Sequence, residues 1–135
     1  MQTFLPYSDI QKTVECLDFR RLGKERVEAR QILNCLNGIN NFRWQFHPAV
    51  KMWIGFEQFL TQYMNSCIFE WIKRGYKNTM QILPVYNSVV PSWFGGRIHS
   101  THRAALLYKD YEWYSQFGWT EEPKIEYFWP KEKTI

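Results

Sequence analysis

The most regular pattern in the chain lies between residues 53 and 71. Trp53, Phe56, Leu60, Tyr63, Cys67 and Trp71 recur at intervals of three and four, the spacing that aligns one face of an α-helix. Pro48 suits a first helical turn, and Gly75 follows Lys73 and Arg74. The pattern therefore predicts a long second helix ending near Arg74-Gly75. An earlier helix is predicted from near Asp9, because Ser8 and Gln11 form a capping box and Ile10, Val14 and Leu17 continue at helical spacing. The pattern resumes at Val27, Ile32 (or Leu33) and Leu36, and Asn37-Gly38 ends it. Gly23 sits in the middle at a cost of about 1 kcal/mol relative to Ala. Either the helix bends there or something needs close approach to its backbone. A third helix is predicted from Ser100 through about Tyr108, extended or re-initiated at Asp110 and closed by Gly118.

Residues 39–47 read as a connection. Residues 76–97 contain Pro84, Pro91 and Gly95-Gly96 without periodicity. That is long for a structureless loop in a small domain, and it reads as functional or as a lid. The tail mixes aromatics with charge and is expected to wrap over the body. There is no internal repeat, low-complexity segment or linker. The expectation is a mostly α, compact single domain spanning residues 1–135, with about three main helices, long connecting loops and little strand.

Composition adds surplus aromatics. In 135 residues there are seven Trp, eight Tyr and ten Phe, more than a core this small needs. Some of these rings are expected at the surface, stacking on bases or lining a pocket. Net charge is +4, unevenly spread: the sums are +2 over residues 1–60, +5 over 61–109 and −3 over 110–135. The basic middle third is either a phosphate-binding patch or ordinary scatter. Cys16, Cys35 and Cys67 are odd in number and far apart, as buried free thiols in a reducing compartment would be. The start, "MQTFLPYSDI", lacks the basic and apolar regions of a signal peptide, and no apolar stretch reaches membrane-spanning length. A soluble, intracellular protein that does not engage a membrane is expected.

The densest candidate chemistry is "LDFRRLGKERVEARQIL", residues 17–33. Asp18, Arg21, Glu25 and Glu28 are spaced three, four and three apart and share one helix face, with Arg20, Lys24 and the Arg26–Arg30 pair to its sides. One reading is a solvated face laced with ion pairs worth a few tenths of a kcal/mol each. The other is a mixed-sign surface whose arginines hold phosphates while the carboxylates serve as acid, base or stabiliser of a cationic intermediate. His99 and His102 in "HSTHR" have the H-x-x-H spacing that can supply half of a metal site, yet no Cys lies near and no third ligand has fitting spacing. No metal or other cofactor is expected. With Arg103 at a helix N-terminus they form either an anion site or a capping and packing pair. His47 precedes Pro48.

Several of these segments resemble the phage endonuclease V family of pyrimidine-dimer DNA glycosylases. "HPAVKMWIGFEQFLTQYMNSCIFEWIKRGYKN" (47–78) resembles its second-helix region, "NG" (37–38) the end of its first helix, and "YSQFG" (114–118) its aromatic C-terminal segment. "FLPY" (4–7), "RLGKERVEA" (21–29) and "HSTHRAALLYKD" (99–110) are similar to a branch of small bacterial and viral relatives. The resemblance implies a compact helical domain with its N-terminal segment threaded between later helices. It implies an α-amine nucleophile that attacks the sugar C1′, releases the base and forms a Schiff base, followed by β-elimination. A first-helix glutamate would stabilise the cation, arginines would hold phosphates, and no metal would be used.

Two positions depart from the family. Its nucleophile is a Thr exposed when Met is removed, whereas residue 2 here is Gln, which disfavours that removal. An ungapped match also puts Gly23 at the family glutamate, with Glu25 the nearest carboxylate. The resulting expectation is a monomeric DNA glycosylase and AP lyase acting on damaged or modified bases in duplex DNA. Met1 would be the nucleophile, Glu25 the charge stabiliser and Glu28 the assisting base. Arg20, Arg21, Lys24 and Arg26 would clamp phosphates, with His47, Lys73 and Arg74 also on the DNA and His99, His102 and Arg103 as the opposite wall. The alternatives are a non-catalytic nucleic-acid-binding module on the same scaffold and a small nucleoside or nucleotide hydrolase.

Overall fold

Asp18 divides what the spacing offers as one helix. The computed structural model describes residues 2–39 and 45–130, and in it Ile10–Cys16 (α1) ends before a buried, extended Leu17, while Phe19–Leu36 (α2) begins just after Asp18. Asp18 N-caps α2 by accepting from the Arg21 N–H, and it also accepts from the Tyr114 hydroxyl at 2.5 Å. A cap held by a residue so distant in sequence fixes where the chain turns. α1 is capped by Asp9, which accepts from the Lys12 N–H at 2.9 Å, and not by Ser8. α2 ends where expected, at Asn37, with Gly38 at φ +67°.

The predicted second helix is also two elements. Pro48–Lys51 (α3) is a single turn capped by His47, and Glu57–Lys73 (α4) starts only after Gly55, at φ +85°. Met52 and Trp53 are buried in the turn between them. The end of α4 is as expected, at Arg74 and Gly75. Residues 76–97 are free of regular helix or strand. Ile98–Lys109 (α5) begins two residues before Ser100, whose hydroxyl donates to Arg97 O and caps nothing. Asp110 does re-initiate the chain, capping Tyr111–Tyr114 (α6), and Gly118 at φ +71° closes a short 3-10 turn. There is no strand among the described residues.

α2 and α4 form the central pair. Leu22, Ala29, Ile32 and Leu33 of α2 share one core with Leu60, Tyr63, Met64, Cys67 and Ile68 of α4. At about 25 cal/mol per Å² of apolar surface removed from water, this layer is the main favourable contribution to folding. Ile98, Ala105 and Leu106 of α5 join the same core, and the tail crosses α5 through Lys124 N–H to Ala104 O and Phe128 N–H to Thr101 Oγ1. Cys16, Cys35 and Cys67 are buried free thiols. Among the described residues, no helix is long and apolar enough to cross a membrane.

Gly23 answers to close approach. α2 continues through it uninterrupted, and a Cβ there would lie 2.9 Å from Cζ3 of Trp71. Trp71 has little room to yield: its Nε1 donates to Lys77 O at 2.9 Å, Tyr76 stacks on it at 4.4 Å and the Arg26 guanidinium covers it at 4.2 Å. Gly→Ala in a helix ordinarily stabilises by about 1 kcal/mol; here overpacking against a pinned ring reverses the sign. Gly23→Ala is expected to lower stability by about 1 kcal/mol, a fall of about 4 °C in Tm by thermal unfolding.

Candidate active site

The buried segment Gln2–Pro6 has no strand partner, so its peptide groups must be satisfied by side chains. Gln2 N–H donates to Glu28 Oε2 at 3.0 Å, Phe4 N–H to Glu25 Oε1 at 2.6 Å and Leu5 N–H to His102 Nδ1 at 2.9 Å. On the acceptor side, Phe4 O takes the Tyr63 hydroxyl at 2.9 Å, Leu5 O takes His99 Nδ1 at 2.7 Å and Pro6 O takes Arg103 at 2.8 Å. Three helices thus hold one extended stretch of chain.

The histidine geometry fixes both tautomers. Leu5 N–H donates to His102 Nδ1, so the His102 ring proton is on Nε2, facing the Gln2 side-chain amide at 3.2 Å. Gly95 N–H donates to His99 Nε2, so His99 carries its proton on Nδ1 and gives it to Leu5 O. Both rings are neutral: burial holds His99 below its usual range and pushes His102 down to about 3. The expected anion site at His99, His102 and Arg103 is therefore absent. The two rings clamp the peptide groups of Leu5, and Arg103 is spent on Glu121 at 2.8 Å and on Pro6.

The two carboxylates differ sharply. Glu25 is 1% exposed, and burial pushes its carboxyl up to about 8 against the opposing hydrogen bonds from Tyr63 and Phe4. The Tyr63 hydroxyl lies 2.5 Å from Glu25 Oε1 and 2.9 Å from Phe4 O. It has one proton for two acceptors. A protonated Glu25 resolves this, donating to Tyr63 while Tyr63 donates to Phe4 O. Glu28 is 8% exposed, with the Lys24 ammonium 3.7 Å from its other oxygen.

Both carboxyls open on a cleft of about 1240 Å³ whose walls include the whole predicted face, Asp18, Arg21, Glu25 and Glu28, with Arg20, Lys24 and His47 beside it. The cations there are unequal. Arg21 is held by Asp18 at 3.1 Å, and Arg74 by Glu70 at 2.8 Å and the last carbonyls of α1. Lys24 is 72% exposed, and Arg20 is exposed beside Phe19. His47 packs edge-on to Trp129, and burial lowers its pKa. Arg26 does not line the cleft; it covers Trp71 and donates to Asn78. Lys73 is exposed but outside the cleft. Met1 lies outside the described residues.

Sequence reasoning missed Tyr63, read only as a core ring, and the aromatic wall of Phe19, Tyr76, Trp113, Tyr127 and Trp129. The surplus of aromatics was the one signal that pointed to it.

Fold and cleft together define a helical domain with an aromatic groove of mixed charge, into which its own N-terminal segment is fastened. The sequence identifies the family: residues 1–83 match the model described as pyrimidine dimer DNA glycosylase, and the chain belongs to that family. DNA is accordingly the substrate class, at the level of the family. No curated protein and no solved structure matches the chain.

The two kinds of buried group give opposite pH dependence. Glu25 has a raised folded pKa, so its contribution is fully present below about 4.5 and is lost as pH rises through about 8; His102 has a depressed one, so its contribution is present above 6.5 and is lost as pH falls toward about 3. Glu25→Gln keeps a carbonyl that accepts from Phe4 N–H, gives up the proton that Glu25 donates to Tyr63, and removes the titrating charge. Relative to its effect at pH 5, it is expected to favour the folded protein at pH 9 by on the order of 1–3 kcal/mol. Parallel Tm–pH curves for the two proteins would contradict a titrating Glu25.

Proposed function

We propose that the chain is a DNA glycosylase with AP-lyase activity on damaged or modified bases, working through the α-amine of Met1 at the cleft. The observation that carries this reading is the 3.0 Å bond from Gln2 N–H to Glu28. Bond lengths alone keep the amine of the preceding residue within about 4 Å of the Gln2 nitrogen, beside a carboxylate and a cleft with exposed cations. An α-amine has a pKa near 8, against about 10.4 for Lys, so far more of it is unprotonated near neutrality.

In the proposed reaction the amine forms a bond to C1′ as the C1′–N bond to the base breaks. The base leaves with the proton lost by the amine, the C1′–O4′ bond then breaks as O4′ takes a proton from solvent, and the resulting iminium carries positive charge next to Glu28. Removal of a C2′ proton then expels the 3′ phosphate, and water releases the protein. Glu28 is the stabiliser and the base in this reading, because it accepts the Gln2 N–H, the peptide nitrogen next to the chain start. Glu25, neutral near pH 7, cannot stabilise a cation by charge; its role is to hold Phe4 and so position the chain start. Arg20, Arg21 and Lys24 are the phosphate contacts, and reaching C1′ requires local distortion of the duplex.

Borohydride trapping on abasic duplex with an untagged N-terminus tests this directly. The wild-type protein is expected to form a covalent adduct, and Glu28→Gln to trap at least about 100-fold more slowly, the scale of a lost acid–base group. Absence of an adduct with the wild-type protein would refute the proposed chemistry.

A further inference from the structure

A column of rings and guanidinium groups stands at the edge of the cleft. From the bottom it runs Arg26, Trp71, Tyr76, Phe19, Arg20. Arg26 lies 4.2 Å from the Trp71 ring, Trp71 and Tyr76 are 4.4 Å apart at 30°, Phe19 and Tyr76 are 6.2 Å apart at 30°, and Arg20 lies 5.8 Å from the Phe19 ring. The lower steps are closed stacks. The Phe19–Tyr76 step is not, and both rings are largely in water, at 51% and 40% exposure. Two large rings at this separation gain little from each other and leave apolar faces wet.

We propose that Phe19 and Tyr76 form a tweezer that takes one unstacked DNA base between them. A ring inserted between two others needs about 6.8 Å, twice the base-stacking rise of about 3.4 Å. With the Phe19 and Tyr76 ring centroids 6.2 Å apart and the rings tilted by 30°, the pair must open to admit a base. Phe19 is the first residue of α2, so its side chain has room to open. Tyr76 is the fixed jaw, backed by Trp71, which Gly23 admits against the helix and which Arg26 and Lys77 O hold. Both rings and Arg20 line the same cleft as Glu28. A base held there has its phosphate near Arg20, giving the aromatic face and cation that single-stranded DNA binding combines. A free aromatic amino acid or an apolar peptide would make no use of that cation.

The inference rests on the reading that this cleft takes DNA, and the experiment separates the two. The probe is a duplex with 2-aminopurine opposite a tetrahydrofuran abasic analogue, read by fluorescence, with binding measured across a salt series. Wild-type protein is expected to quench the probe. Phe19→Leu and Tyr76→Leu are each expected to lose the quenching and weaken binding about tenfold, without changing the slope of log K against log salt, because phosphate contacts are untouched. Phe19→Tyr and Tyr76→Phe keep the rings and are expected to retain both signals. Unaltered quenching and affinity in both Leu variants would overturn the tweezer. Wild-type quenching without borohydride trapping would leave the tweezer standing and remove the glycosylase chemistry, whereas trapping without a ring-dependent effect would do the reverse.

Discussion

The structure depends on how a buried, extended segment with no strand beside it satisfies its peptide groups. An unpaired backbone donor or acceptor out of water costs about 1–3 kcal/mol, and the Gln2–Pro6 stretch presents several. Six of the bonds are made by polar side chains from helices, Glu25 and Glu28 from α2, Tyr63 from α4, and His99, His102 and Arg103 from α5, while Thr3 O takes the Gln2 side-chain amide. This explains why a hydrophobic core contains two carboxyls, two imidazoles and a phenol. It also ties the three long helices together through one strand of chain, so the position of the segment and the packing of the helices are a single problem.

That arrangement sets the electrostatics of the cleft. Groups sealed inside are neutral, because burial disfavours charge in Glu25, His99 and His102 alike. Those at the surface retain charge, yet most cations are already engaged: Arg21 with Asp18, Arg74 with Glu70 and Arg103 with Glu121. The net basicity of the middle third is therefore a poor guide to a phosphate patch. Arg20 and Lys24, on the first turns of α2, and Lys109, at the end of α5, are exposed cations at the cleft.

The amphipathic periodicity was legible where packing alone decides. The face of α4, its end at Arg74-Gly75, the Asn37-Gly38 stop and the re-initiation at Asp110 all follow from local chemistry. The break at Asp18 was not legible, because its cap is completed by Tyr114, 96 residues away in sequence. Trp53 fits the α4 rhythm, but Gly55 in a left-handed conformation separates it from that helix, whose N-cap is Phe56. The helix face of Asp18, Arg21, Glu25 and Glu28 was identified correctly as a group. Its depth was not, since a helical wheel shows direction and not what covers it. The histidines failed for the same reason: "HSTHR" has the chemistry of an anion site until Leu5 is placed between its rings.

Glu25 and Glu28 illustrate how one helix turn separates two functions. They stand three residues apart and both accept a backbone N–H from the N-terminal segment. The difference is in what else surrounds each carboxyl. The Glu25 oxygen that takes the Phe4 N–H also meets the Tyr63 phenol inside the core, where a proton costs less than a charge. Glu28 has the Lys24 ammonium 3.7 Å from its other oxygen at the cleft. These surroundings suit Glu25 to holding the segment in the core and leave Glu28 beside the cleft. Gln2 meets Glu28 and Phe4 meets Glu25, so the segment runs antiparallel to α2, entering from the cleft at Gln2 and passing inward to Phe4.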